Sequence, residues 1–239
     1  MKERITRWIK KQVVQAKAQG IVMGLSGGLD SSVVAALSVA AVGKRGVLGL
    51  FLPCHSHSGD LKDAKTVAKY LGIKTKTVDL SGIYDNILKI LPAAGSLAKA
   101  NLKPRLRMLV LYYFANKLNY LVCGTGNKSE ISIGYFTKHG DGATDILPIG
   151  NLLKKQVRAL AKELGIPRYI IAKAPSAGLW IGQTDEGEMG ITYAELDDIL
   201  GRLEQKKKQE SSPKKVAKVK QRIMASEHKR QGPRICHVN

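Results

Sequence analysis

Aromatic side chains make up only 5% of this 239-residue chain, too few for a platform on which the bases of a nucleic-acid strand would stack. Cysteine is scarcer still. Cys54, Cys123 and Cys236 are odd in number and widely spaced, which speaks against a disulfide framework or a CxxC zinc site and for reduced thiols. Gly, Lys or Ser interrupts every apolar stretch well before the ~20 residues that cross a bilayer, and the opening MKERITRWIK has no apolar signal core. A soluble, cytoplasmic protein without membrane association is expected. No internal repeat is found.

What the chain does have is a 44% share of hydrophobic residues, enough for one sizeable core, so residues 1–239 are expected to form a single domain. The formal net charge of +20 fits a nucleic-acid partner, a phosphate-rich substrate or a solvated surface equally well. Residues 201–239 carry twelve Lys and Arg against three acids, an excess of +9, and the rest is spread over the body. With aromatics so few, the charge points to anionic small substrates and not to nucleic acid.

Ile5, Trp8, Ile9 and Val13 recur at helical spacing before Gly20. Ile21 to Leu25 is then a short apolar run of strand length, Ser26-Gly27-Gly28 a turn, and Asp30 to Val42 a helix. The alternation continues with a strand over 47–52, a helix over 61–71, a strand over 76–80, a long apolar helix over 104–118 and a strand over 120–123. This is the α/β pattern of a parallel sheet with helices on both faces, whose ligands bind beyond the C-terminal ends of the strands. Residues 156–164 read as another helix, stopped by Gly165 and Pro167. Ala174 to Gly190 lacks periodicity and is expected to be irregular, a functional loop or a mobile lid. Ser211-Ser212-Pro213 opens a helix continued by Val216, Val219 and Ile223, so the basic segment 201–239 is partly helical.

The strongest chemical signal is Ser26-Gly27-Gly28-Leu29-Asp30-Ser31-Ser32, between a buried strand and a helix. Glycines let the backbone approach a polyphosphate, the helix presents its free N–H groups, and the serines add donors. An acid in such a turn would repel an anion, so Asp30 suits a divalent cation bridging to the phosphates. No Gly-Lys-Ser/Thr follows, which separates this loop from Walker A.

Ser26 to Ser31 matches the SGGxDS signature of the N-type ATP pyrophosphatases, and the chain resembles their NAD synthetase branch. That narrower resemblance rests on Gly124-Thr125-Gly126-Asn127-Lys128-Ser129-Glu130, on residues 134–142 and 145–149, and on Lys154-Lys155-Gln156-Val157-Arg158. It continues through Pro175-Ser176-Ala177-Gly178-Leu179-Trp180, residues 182–190 and His228-Lys229-Arg230, covering nearly the whole chain in order. It implies an adenine-nucleotide α-hydrolase-like, Rossmann-like fold and a carbon–nitrogen ligase of NAD biosynthesis. The implied magnesium ligands are Asp30 and Glu130, and Asp30, Glu130 and Lys154 are the implied catalytic set. ATP would touch Gly24, Leu25, Ser26, Gly27, Gly28, Leu29, Asp30, Ser31, Thr125, Lys154 and Ser176. Arg105, Lys138, Asp145, His228 and Lys229 would hold nicotinic acid adenine dinucleotide (deamido-NAD).

Residue type alone leaves plainer readings open. Glu130 could be an exposed acid in a Gly- and Ser-rich loop, Lys154 a solvated helix lysine, and Arg105 a surface arginine. A lysine at a helix N-terminus is nevertheless unfavourable unless a phosphate is also there, and a guanidinium after Pro104 can clamp a carboxylate or phosphate. Ser176 stands where relatives often carry Thr, which keeps the hydroxyl. Pro53-Cys54-His55-Ser56-His57 reads as a loop lining the nucleotide pocket and not as a metal site. Tyr193, Leu196 and Ile199 read as helix-packing residues, and Lys206-Lys207-Lys208 as a solvated charge run.

By the resemblance, the dinucleotide carboxylate attacks the α-phosphate of magnesium ATP, and ammonia then displaces AMP to give NAD. Only about 20 residues precede the first strand, too few for the glutaminase domain of glutamine-using relatives, so free or separately supplied ammonia is expected. Family members are two-fold dimers with the dinucleotide site at the interface. Met108 to Ala115, apolar around the whole helix circumference, would serve that contact. The competing readings are a tRNA-thiolating adenylase, opposed by the missing cysteine pairs, and a non-catalytic nucleotide-binding module, opposed by the intact Asp30 and Glu130.

Overall fold

The computed structural model describes residues 1–180, 182–236 and 238. Helix α1 (Lys2–Gln15) leads into β1 (Gly20–Gly24) and α2 (Leu29–Val42), followed by β2 (Val47–Phe51), α3 (Ser58–Leu71) and β3 (Lys74–Thr77). Then come α4 (Ser81–Ile90), α5 (Ser96–Ala100), α6 (Leu102–Leu118), β4 (Tyr120–Val122) and α7 (Lys128–Ser132). The remainder is helical: α8 (Lys154–Glu163), α9 (Arg168–Ala172), α10 (Asp185–Met189), α11 (Tyr193–Glu204), α12 (Pro213–Ala225) and α13 (Glu227–Arg230).

The four strands pair in parallel in the order β3-β2-β1-β4, with Ile21 opposite Val47 and Leu121. Side chains of β1 and β2 alternate between two apolar layers. Ile21, Met23, Val47 and Phe51 meet α1, α2 and α8, while Val22, Leu48 and Leu50 meet α4 and α6. Burial on both faces explains why these strands read as continuous apolar runs. Strand order reverses between β1 and β4, since β1 continues through α2 towards β2 while β4 lies on its other side. The crevice at their C-terminal ends is the switch point where such sheets take ligands. A third apolar cluster, outside the sheet, joins Leu153, Met189, Ile191, Leu196, Ile199, Val216 and Val219.

Three expectations need correction. β3 occupies 74–77 and not 76–80: Lys74-Thr75-Lys76-Thr77 is an exposed edge strand, while the apolar Val78 and Leu80 that suggested a later strand lie just past it, donating to the Phe51 and Pro53 carbonyls and packing on the apolar layer of α4 and α6. Residues 81–90, unassigned from sequence, form α4, which buries Tyr84. The 174–190 segment is not wholly irregular, since Thr184 caps one helical turn, α10; Ile181 lies outside the described residues. The basic C-terminal part is indeed partly helical, and α12 packs through Val216 and Val219. Its closing turn is fitted tightly against α7: a Cβ at Gly134, where φ is +67°, would lie 2.1 Å from Ser226 Cβ. Among the described residues, no helix is long and apolar enough to cross a membrane.

The cysteines are free, with Cys54 and Cys123 buried and Cys236 exposed. Burial raises the Cys54 thiol and pushes Cys123 up to about 12. An aromatic disulfide reagent at mild alkaline pH is therefore expected to titrate one thiol in the native protein and three after denaturation. Fast reaction of all three without denaturant would contradict this packing.

Candidate active site at the sheet switch point

The turn after β1 is held by its own serines. Gly28 N–H donates to Ser26 Oγ at 3.2 Å, Ser31 Oγ lies 3.0 Å from Ser26 Oγ, and Ser32 Oγ donates to the Gly28 carbonyl at 2.7 Å. Gly27 has φ +76°, and a Cβ there would sit 2.4 Å from the Asp60 carbonyl oxygen, so only glycine fits beside α3. No side chain caps the N-terminus of α2. Its first-turn N–H groups are thus available to an anion, and Asp30 stands among them.

Across the crevice, Asn127 at the end of the β4 loop caps α7. Asn127 Oδ1 accepts from Glu130 N–H at 3.1 Å, and Glu130 Oε2 accepts from Asn127 N–H at 3.4 Å, a reciprocal capping box. Glu130 is therefore in the first turn of a helix and not in a loop, which fixes its side chain towards the crevice. The same Asn127 donates through Nδ2 to Asp30 Oδ1 at 3.1 Å, joining the two sides of the switch point.

Lys154, the first residue of α8, completes the group. Its ammonium is 2.5 Å from Asp30 Oδ2 and 3.1 Å from Glu130 Oε1, and the residue is 1% exposed. The solvated-lysine reading is thus excluded. Burial pulls this ammonium towards deprotonation, but Asp30 and Glu130 outweigh it and raise its pKa. Burial also pushes the Glu130 carboxyl above its ordinary value despite the pull of Lys154. At the N-terminus of α8 a cation is opposed by the helix dipole, and the two carboxylates are what hold it there.

Helix α11 secures this arrangement from behind. Asp197, buried, accepts from Ser129 Oγ at 2.5 Å and from Lys155 N–H at 2.7 Å, while Ser129 Oγ accepts from Lys154 N–H at 2.9 Å. One carboxylate thereby ties the N-terminal turns of α7 and α8 together. One turn earlier, Tyr193 OH lies 2.8 Å from Glu130 Oε1 and 2.9 Å from Asp185 Oδ2, and its ring stands 4.7 Å from Lys154 Nζ. Leu196 and Ile199 are pure packing residues as expected, but Tyr193 is more: its hydroxyl belongs to the charged centre. Asp185 is itself buried, which raises its pKa.

The 174–190 segment is tethered to α6 and braced within itself. Lys103 Nζ, on α6, donates to the Leu179 carbonyl at 2.8 Å, and Leu179 N–H donates to Gln183 Oε1 at 2.8 Å. Ser176 is exposed and accepts only from Gly178 N–H at 3.1 Å, so it is not joined to the Asp30 group. Thr125 lies half-buried between β4 and α7, on the rim of the crevice.

The residues expected to hold a dinucleotide form a second group. Arg105 donates to the Lys138 carbonyl at 3.3 Å, Lys138 Nζ to the His228 carbonyl at 2.5 Å, and Lys229 Nζ to the carbonyls of Gly134 and Phe136 at 2.8 and 2.9 Å. Arg105 and His228 are exposed. Asp145 stands apart, accepting from Val122 N–H at 2.7 Å and Tyr112 OH at 3.1 Å. Cys54, His55 and His57 go separate ways. The Cys54 thiol faces the Leu80 carbonyl, His55 pairs with Asp85 at 2.8 Å, and His57 Nδ1 caps α3.

Sequence reasoning missed Asn127, Asp197, Asp185 and the hydroxyl of Tyr193. Asn127 and the helix starts were within reach: Asn127-x-x-Glu130 and Thr192-x-x-Glu195 both carry the capping-box signature, which would have started α7 and α11 in the right places.

The NAD synthase family model matches residues 1–233. An NH(3)-dependent NAD(+) synthetase of Archaeoglobus fulgidus is 48% identical over 99% of this chain and 96% of its own length. An NMN synthetase from Francisella tularensis superposes with a TM-score of 0.92 at 39% identity, covering 99% of this chain and 97% of that one. An NH3-dependent NAD synthetase from Campylobacter jejuni gives 0.86 at 31%, again over 99% and 97%. These likenesses favour an amide-forming ligase over a thiolating adenylase or a non-catalytic module, and with the charged centre at the switch point they carry one conclusion: the chain belongs to the NAD synthase family.

Proposed function

We propose that the chain amidates deamido-NAD with ammonia, cleaving ATP to AMP and pyrophosphate, with Asp30, Glu130 and Lys154 as its catalytic residues. The observation that carries the reading is the buried Lys154 ammonium shared by two carboxylates beside the uncapped N-terminus of α2. In the first step a nicotinate oxygen attacks the α-phosphorus of ATP, the bond to the β-phosphate breaks, and pyrophosphate leaves. In the second, ammonia attacks the carbonyl carbon, AMP leaves with the bridging oxygen, and the nitrogen gives up a proton. The residues 1–239 act as one catalytic unit.

The chain's own groups align and neutralise. The free N–H groups at the start of α2 would meet the polyphosphate, in a turn whose shape Ser26, Ser31 and Ser32 hold, and Lys154 offsets charge on the leaving pyrophosphate. Gly24 to Ser31, Thr125, Lys154 and Ser176 are the proposed ATP contacts. Ser176, exposed on the tethered segment, reaches ATP only if that segment moves inward.

The donor set fits a magnesium ion. Asp30, Glu130 and the nearby Asp185 outnumber the single Lys154, so the centre has acid to spare. Among the described residues no three acidic, His or Cys side chains form a self-sufficient metal cage. That suits magnesium, which is bound through one or two carboxylates together with substrate phosphates. Asp30 and Glu130 would hold it, and it would supply electrostatic stabilisation of the phosphates.

Arg105, Lys138, Asp145, His228 and Lys229 are the proposed dinucleotide contacts, completed by a second subunit. Support comes from α6, where Leu109 and Tyr113, one turn apart, are 63% and 60% exposed. An apolar stripe of this kind suits an isologous dimer. A cytoplasmic location follows from the same reading.

Incubation with magnesium ATP, deamido-NAD and ammonium should yield NAD, AMP and pyrophosphate in equal amounts, with glutamine a poor donor. Nicotinic acid mononucleotide belongs in the same assay, since one structural neighbour is an NMN synthetase; preference for it would move the substrate, and no AMP from either would overturn the function. Asp30→Asn and Glu130→Gln should each lower turnover about 100-fold or more with native circular dichroism. Near-normal rates in both would remove them from the mechanism. Tyr113→Glu should weaken dimerisation and dinucleotide binding while sparing ATP; a fully active monomer in the centrifuge would refute the shared site.

A further inference from the structure

We propose that Tyr193 is a positioning residue for Glu130, its hydroxyl coupling the 174–190 segment to the carboxylate pair. The proposal rests on the reading of Glu130 as a cation ligand and goes beyond it by naming what sets that ligand's orientation.

The side chain is 3% exposed, and packing alone would need only its ring. Leu196 and Ile199 on the same helix fill the adjoining space without a polar atom. The hydroxyl, by contrast, sits between two carboxylates, at 2.8 Å from Glu130 Oε1 and 2.9 Å from Asp185 Oδ2. Among the described residues Glu130 Oε1 has two partners, this hydroxyl and the Lys154 ammonium. A phosphate that drew Lys154 away would leave the phenol as the one remaining donor on that oxygen. One O–H cannot satisfy two acceptors fully, so the share given to Glu130 depends on where Asp185 stands.

Asp185 belongs to the 174–190 segment, and its contacts run on through it. Its other oxygen is 3.1 Å from Tyr135 OH, which lies 2.8 Å from Glu188 Oε2. Gln183 Nε2 donates to that same Glu188 oxygen at 2.7 Å, and Gln183 Oε1 accepts from Leu179 N–H. Side chains thus connect the tip of the segment to Glu130 without a gap. Displacing the segment withdraws Asp185 and changes the hold on Glu130. By linkage, a cation bound at Glu130 changes the stability of the segment's observed position in return.

The test uses the full chain with Tyr193→Phe, which keeps the ring and removes the hydroxyl. Manganese binding is measured by calorimetry with an ATP analogue that cannot be cleaved between its α- and β-phosphates, alongside protease cleavage within 174–190. The variant should keep a thermal midpoint close to that of the unmodified chain, bind manganese about tenfold more weakly, and lose the protection of the segment that manganese confers. Its kcat should fall while KM for the dinucleotide stays within about twofold of normal, as expected of a group that acts through another. Asp185→Asn should also uncouple protection from manganese, and it carries the test should Tyr193→Phe fail to fold. Affinity and protection like those of the unmodified chain, in whichever variant folds, would overturn the coupling while leaving the cation site standing. Failure of the unmodified chain to bind manganese with nucleotide would instead overturn the reading of Asp30 and Glu130, and the coupling with it.

Discussion

An ammonium withdrawn from water needs opposite charge close at hand, and Lys154 has Asp30 and Glu130. Removing one member of a buried ionic group typically costs about 3–5 kcal/mol, because the others are left without compensation. The three residues come from α2, α7 and α8, so a single charged contact fixes how helices from both sides of the switch point meet. The same charges that hold one another in place are those that a nucleotide and its cation would draw apart. On the proposed reading, structural and chemical roles fall on one group of atoms.

The support for that group lies outside the sheet. Asp197 ties two helix N-termini, where a carboxylate is favoured by both dipoles, and Tyr193 fills the space beside the ammonium. Both depend on the apolar cluster of α11 and α12 for their position. The nucleotide loop, in contrast, is braced by its own serines and by α3. Each half of the centre has a separate foundation, and the Asn127 to Asp30 hydrogen bond joins them.

Much of this was legible from sequence because local patterns carried it. Ile21 to Leu25 followed by Ser26-Gly27-Gly28 places a buried strand and a tight turn without reference to the rest of the chain, and Val216 marks a buried helix face in the same local way, whereas the first helix stops at Gln15, short of the Gly20 that suggested its end. What escaped was set by distant partners. Lys74 to Thr77 become a strand only because Leu48 to Phe51 offer an edge, and nothing in their polarity says so. Tyr193 reads as a packing residue until Glu130, 63 positions earlier, is brought to its hydroxyl. Arg230, in a short basic run, donates to the Ile131 and Ser132 carbonyls nearly a hundred residues away.

The close fit of Gly134 against Ser226 bears on how the chain comes into being. On the ribosome, β1, its phosphate-facing turn and α2 emerge early and can dock on β2 while synthesis continues. Glu130 emerges later, and the residues that orient and enclose it, from Lys154 to Arg230, follow it. A nascent chain can thus assemble one wall of the crevice before the other. A chain interrupted between α7 and α13 would carry the Asp30 turn without its partners, and the charged centre could form only once the turn after α12 had reached α7.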